Sequence, residues 1–434
     1  MSERKDLLRL AAPLAAQQVG FQLMGTVDAL LLGRWSDAAL AGAGVGNNLL
    51  FGITSIALGL VMGVDSVVPQ AIGGGRPDDA RRAVGAGMRL ALLVGLAATL
   101  VTLLTPGLLE VAHVEPAVIA EARPYTYLRA VGIVPFVLSI PLRAYLAARD
   151  HTRPLVVAVV AGNVVNAALD LVLIYVFRLG VLGAALATLS VQLVTLALYA
   201  AAVRALDEGK PRPTSTRKDV VAIAHYGWPV GGQLFAEVGI FGVATVLAAT
   251  MGEIPAAAHS IALNLASMTF SFALGVASAT TVRVGQAIGA GDLPLARHRG
   301  LTGLQVGLTV MACFAATFLV VPALVARAFT DSAPVVAATV PLLQIAALFQ
   351  LSDGTQAIGA GALRGLGDTR ATLWGNLLGH YVVGLPLMLA LGFGAHLGAP
   401  GLWWGLSAGL TVTGVFLFAR FLRSTRQSPR GSAV

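Results

Sequence analysis

The chain has 434 residues, 56% of them hydrophobic and 12% charged, with a mean hydropathy of +0.80. Soluble domains carry about 25% charged residues, so this composition excludes a soluble globular protein. The net charge of +8 does not point to nucleic acid, because the basic residues fall between long apolar runs, where they set orientation in a bilayer.

Apolar runs long enough to cross roughly 30 Å of hydrocarbon predict twelve spans in an all-α polytopic membrane protein. They cover residues 7–33, 39–71, 82–109, 117–146, 154–177 and 181–205, then 219–250, 255–288, 294–327, 334–363, 370–394 and 398–422. The first span carries Pro13, Gln17, Gln18 and Asp28 and lacks a small-residue cleavage site, so it does not read as a signal peptide. Placing the loops on alternating sides puts 24 Lys and Arg with both termini, among them Arg212 and Arg430, and 5 on the other side: Arg34, Arg123, Arg129, Arg178 and Arg327. By the positive-inside rule both termini are cytoplasmic. Fifty glycines suit close helix approach, and the single cysteine, Cys313, excludes an intrachain disulfide.

Asp207 to Asp219, DEGKPRPTSTRKD, is polar and proline-bearing. It divides the chain into an N-lobe of six helices (1–206), a cytoplasmic linker (207–218) and a C-lobe of six helices with a short basic C-terminal tail (219–434). The halves repeat. QAIGGG at Gln70–Gly75 returns as QAIGAG at Gln286–Gly291, 216 residues later, and at that offset Pro13 matches Pro229 and Gln17 matches Gln233. Leu142-Arg143 is echoed by Leu363-Arg364, Thr152-Arg153 by Thr369-Arg370, and Gly180 and Gly183 by Gly398 and Gly401. An even number of spans per repeat enters the membrane the same way up, which predicts two six-helix bundles related by a pseudo-two-fold axis along the membrane normal. QAIGxG follows a helix and lacks the Lys-Ser/Thr of a P-loop, so it reads as a tight helix-ending turn.

Five acids lie within spans: Asp28, Asp65, Asp170, Glu237 and Asp353. Buried acids in a membrane are costly and mark function by default. Counting from the span ends at 1.5 Å per residue, Asp28, Asp170 and Thr188 share a depth of about 8–11 Å below the outer boundary. Asn166 precedes Asp170 by four residues and shares its helix face. Two carboxylates, an amide and a hydroxyl make a hard-oxygen site for Na⁺, or for a proton held on one carboxyl beside the other. The alternative is a polar knot that only pins helices together. Glu237 and Asp353 lie near mid-depth in the other half, flanked by Gln233, Gln344, Gln350 and Gln356, as a second cation site or the counter-charge of a cationic substrate.

Asp65 is expected in a helix-end salt bridge with Arg81 or Arg82, and His259 as a hydrogen-bonded packing residue. Trp403-Trp404 is expected in the interfacial belt. No HExxH, GxSxG, P-loop or metal-spaced Cys/His cluster occurs, so neither an enzyme nor a cofactor is expected, and the energy source is not a nucleotide.

Several stretches resemble one family: VDALLLGRWSDAALAGAGVG (27–46), GVDSVVPQAIGGGR (63–76), NVVNAALDLVLIY (163–175) and LGVLGAALAT (179–188). The second half adds QLFAEVGIF (233–241), TVRVGQAIGAGD (281–292) and LFQLSDGTQAIGAGALRGLGDTR (348–370). Together and in order they resemble the multidrug and toxic compound extrusion (MATE) transporters, in their NorM-like bacterial branch. The resemblance implies a secondary active transporter that exports amphipathic organic cations and drugs by alternating access, coupled to H⁺ or Na⁺. Its partners would be these small molecules and the lipid bilayer, its form a monomer, its place the bacterial cytoplasmic (inner) membrane. Asp28, Asn166, Asp170 and Thr188 fall at the family's N-lobe proton or cation site and Glu237 and Asp353 at its C-lobe site, with Pro13, Gly20 and Gly25 as bend points of the first helix. A lipid-linked oligosaccharide flippase would line its cavity with arginines, whereas the deep charges here are acidic. An intramembrane aspartyl hydrolase would need a GxGD-type pair, which is lacking.

Overall fold

Prolines and glycines punctuate this chain, and the helices begin and end at them. In the computed structural model, which describes residues 3–111, 114–210 and 213–426, the long helices are, in order, α1 (Glu3–Trp35), α2 (Asp37–Gly73), α3 (Pro77–Val111), α4 (Pro116–Ala148), α5 (Arg153–Val176), α6 (Val181–Leu206), α7 (Arg217–Thr250), α8 (Glu253–Gly289), α9 (Leu293–Val320), α10 (Ala333–Leu366), α11 (Thr369–Gly394) and α12 (Ala399–Ser424), with a short helix Pro322–Arg327 between α9 and α10. Arg212, Arg430 and the basic tail lie outside or at the edge of the described residues. A proline opens the first turn of α3, α4, α5, α9, α10 and α12, where its missing N–H costs nothing. The Ser36 hydroxyl caps α2 by accepting from Ala39 N at 3.0 Å, and Asp292 caps α9 through Leu295 N at 2.8 Å.

Eleven of the twelve, α2 to α12, are long and apolar enough to cross a membrane. The first helix has 33 residues, ample length, but Gln17, Gln18, Gln22 and Asp28 make it the least apolar. The helix with the weakest span signal nonetheless buries Gln17 and Asp28.

The repeat is visible in the backbone itself. Eight of the ten positive-φ residues among those described come in pairs: Gly75 and Gly291 (φ 69° and 77°), Asp150 and Gly367 (55° and 85°), Arg178 and His396 (57° and 55°), Gly180 and Gly398 (54° and 62°). The pairs are spaced by 216 to 218 residues, although the residue types differ at two of them. Wider π-helical turns also recur, at Leu171–Val176 at the C-terminal end of α5 and Ala390–Gly394 at that of α11. A further π segment, Leu378–Gly384, belongs to α11 alone.

By packing, the chain forms two compact units. One comprises Met1–Ala15, Pro69–Gly75 and Ala236–Val434; the other comprises Ala16–Val68 and Arg76–Phe235. Glycines permit the tightest crossings in each. Within the first unit a Cβ on Gly73 would strike the Gln286 carbonyl, and one on Gly289 the Gln70 carbonyl, so the two QAIGxG copies cross backbone against backbone. Gln70 Nε2 also donates to Gly365 O at 2.8 Å. In the same unit a Cβ on Gly275 would meet the backbone of Ala15; in the second, one on Gly59 would meet that of Gly231. These two contacts are related by the 216-residue offset. The motif is structural, as expected, and its glycines serve a crossing as well as a turn.

Candidate functional site

Asp28 stands in α1 with 9% of its surface exposed, Asn166 and Asp170 in α5 with 1% and 0%, and Thr188 in α6 with 7%. The helix α1 runs through Pro13 and Asp28 without interruption. Asp170 ends the regular part of α5, and the π segment begins at the next residue. A π turn shifts helix phase, and such turns concentrate at functional sites.

The structure brings these four residues together. Thr188 Oγ1 donates to Asp28 Oδ2 at 3.1 Å, sharing its proton with Ala184 O at 3.1 Å. Asp170 and Asn166 face the Asp28 carboxylate. Yet Asp28 Oδ1, both Asp170 oxygens and both Asn166 side-chain heteroatoms are buried without a hydrogen-bond partner. A buried polar atom left without a partner costs about 1–3 kcal/mol, more when charged. Its donor set suits a monovalent cation or a shared proton.

One neighbour is not signalled by the sequence pattern. Arg129, which falls on the outer side when basic residues are allotted to loops, lies inside α4 and faces Asp28. Its guanidinium carbon sits 6.0 Å from the centroid of the buried Tyr125 ring, and Asp28 and Asp170 act on that same ring's hydroxyl. A count of basic residues by loop has no means of finding an arginine that points inward.

In the second half, Gln356 Nε2 donates to Glu237 Oε1 at 3.0 Å. Asp353 is 4% exposed on α10, and Glu237 is the charge that faces it, so these two predicted residues also meet. Tyr381 of α11 donates to Ala236 O at 2.7 Å, beside Glu237. Asn376 and His380, one turn apart on α11 and both 0% exposed, have no partner on any side-chain heteroatom; neither stands out in the sequence.

Two expectations change and a third holds. Asp65 pairs with Arg143 at 3.3 Å rather than with Arg81 or Arg82, which bond to Asp78 and Asp79. Trp403 is not interfacial: it is 0% exposed and its Nε1 donates to His259 Nδ1 at 3.2 Å, while Trp404 is 43% exposed. His259 Nε2 lies 3.2 Å from Thr245 Oγ1, and that hydroxyl donates to Phe241 O at 2.9 Å. Both ring nitrogens are therefore used, and His259 is the hydrogen-bonded packing residue expected. Among the described residues no group of three His, Cys, Asp or Glu side chains is arranged for a metal ion.

The MatE family model matches this chain twice, over residues 13–172 and 229–389. The chain belongs to the MatE family. The two matches start 216 residues apart, the spacing of the QAIGxG copies. A probable multidrug resistance protein NorM of Deinococcus radiodurans is 38% identical to this MatE chain, covering 98% of it and 96% of the relative. The multidrug resistance protein NorM of Burkholderia vietnamiensis is 35% identical over 96% and 93%. A solved outward-facing multidrug resistance MATE transporter superposes with a TM-score of 0.91 at 20% identity, covering 98% and 96%. The eukaryotic MATE transporter AtDTX14 gives 0.87 at 20% identity over 98% of both chains. The fold is the MATE fold, and this multi-pass membrane protein is a transporter rather than an enzyme.

Proposed function

We propose that this transporter exports amphipathic organic cations in exchange for H⁺ or Na⁺ taken up at Asp28, Asp170, Asn166 and Thr188. The observation that carries the proposal is the set of buried, unpartnered oxygens on Asp28, Asp170 and Asn166, which a proton or a monovalent cation satisfies and neutralises. The names of the NorM relatives support a multidrug cargo.

In this mechanism an ion arriving from outside removes the repulsion between the two carboxylates. The helix α1 then rearranges. Pro13 cannot donate a hydrogen bond to the carbonyl of Arg9, which leaves the inner part of α1 the easier to bend. The binding surface shrinks, the organic cation leaves outward, and the ion leaves inward as the two six-span halves, 1–206 and 219–434, exchange access. Glu237 and Asp353 act as a second cation site or as the counter-charge of the cargo. Both termini and the linker 207–218 are cytoplasmic, the membrane is the inner one, and the working unit is a monomer.

The test is uptake of a fluorescent organic cation into inside-out vesicles, with a pH gradient and a Na⁺ gradient imposed in turn. The proposal expects uptake to follow at least one of them. Uptake indifferent to both would overturn it.

A further inference from the structure

The cluster around Asp28 is incomplete in two complementary ways. On one side stand unpartnered acceptors: Asp28 Oδ1, Asp170 Oδ1 and Oδ2, and Asn166 Oδ1. On the other stand unpartnered donors, Arg129 Nε and Nη1, also buried. No hydrogen bond joins the two sets, although Arg129 is the opposite charge that faces Asp28. The guanidinium is instead parked over Tyr125, four residues earlier on the same helix. An arginine side chain on a helix leans toward the helix N-terminus, which carries this one over Tyr125. Its long stem lets the head swing while the backbone of α4 stays put.

The charges point the same way. With both acids ionised, two carboxylates and one guanidinium sum to a single negative charge, which one H⁺ or one Na⁺ cancels. We infer that Arg129 is a resident counter-cation that competes with the coupling ion for Asp28 and Asp170: withdrawn over Tyr125, as here, it leaves the acids open to the ion, and swung across it takes the ion's place. The inference rests on the coupling role proposed for Asp28. It adds that the ion displaces a cation built into the protein rather than filling bare carboxylates. Arg129 thereby lowers the ion affinity of the site, so the ion can leave as well as enter.

The experiment uses the full chain in lipid nanodiscs with ethidium as the probe. Bound ethidium is displaced by Na⁺ at fixed pH and, separately, by protons at fixed Na⁺. Arg129→Gln removes the competitor and is expected to lower the ion concentration at half-displacement by at least about tenfold, a floor well below the roughly thousandfold ceiling of one unit charge about 4 Å away at an effective dielectric near 20. Arg129→Lys keeps the charge and is expected to stay within about threefold of the wild type. Arg129→Met serves as a second uncharged variant. An unchanged midpoint in a folded uncharged variant overturns the inference, and so does failure of both uncharged variants to fold, which marks a structural cation. Asp28→Asn is run in parallel. If ions still displace ethidium from that variant, the coupling role of Asp28 fails, whatever Arg129 does.

Discussion

Thr188 shows how much one side chain is asked to do. Its hydroxyl donates to the Asp28 carboxylate at 3.1 Å. Removing a donor from a buried acceptor costs about 1–3 kcal/mol, so Thr188→Val is expected to weaken ion-dependent transport roughly five- to a hundredfold while Thr188→Ser retains it. Transport assays on the two variants at matched expression decide this; equal activity would remove Thr188 from the site. His259 belongs to stability instead. Its two nitrogens tie Trp403 of α12 to Thr245 of α7, so His259→Ala should lower stability by about 1–3 kcal/mol, read as a fall in melting temperature, with the response to ions unchanged. Depth along a helix is legible from sequence, and counting residues from the span ends is enough to group Asp28, Asp170 and Thr188. Azimuth is not: Trp403 and Trp404 are neighbours, yet one is fully buried and the other exposed. The same blindness hides Arg129, Asn376 and His380.

Elements are the most legible scale, because prolines, glycines and charged pairs mark the ends of long apolar runs. The expected spans 117–146 and 181–205 correspond to the helices Pro116–Ala148 and Val181–Leu206. The π segments are not foreseeable, since the apolar periodicity of a wide turn is swamped in helices that face lipid on one side and protein on the other. The bend points in α1 separate in the structure. A Cβ on Gly20 would press on Val159 and Asn163, which gives that glycine a packing reason. Gly25 has nothing within 4 Å of its would-be Cβ. Gly25→Ala should therefore fold at least as well, gaining about 1 kcal/mol of helix propensity, and yet slow transport if α1 must bend there. Full transport from a more stable Gly25→Ala variant would show that the bend lies elsewhere. By contrast, Gly73 and Gly289 face carbonyls that cannot step aside. Valine at either should cost at least about 1–3 kcal/mol and sharply reduce the yield of folded protein on extraction.

The whole molecule obeys two different divisions. The repeat divides it near the linker, a reading supported by two MatE matches and by paired left-handed residues. Packing divides it elsewhere, placing Met1–Ala15 with the second half of the chain and Arg217–Phe235 within the unit built mostly from the first. Sequence repeats report which segments share an origin, whereas packing reports which segments bury each other, and only the first can be read from residue identities. The consequence is that neither half contains its own compact unit. Fragments cut in the linker should each be degraded when expressed alone and recover when co-expressed; two independently stable halves would contradict this.

The proposed coupling mechanism depends most on Asp28, and its most direct test is gradient-driven efflux from proteoliposomes bearing the wild type or Asp28→Asn. The neutral amide keeps the shape of the site and removes the charge that the ion must meet. The expected result is a variant that inserts and folds like the wild type, still binds the organic cation, and shows no efflux in response to the gradient that drives the wild type. Efflux at the wild-type rate from the folded Asp28→Asn protein would contradict the mechanism.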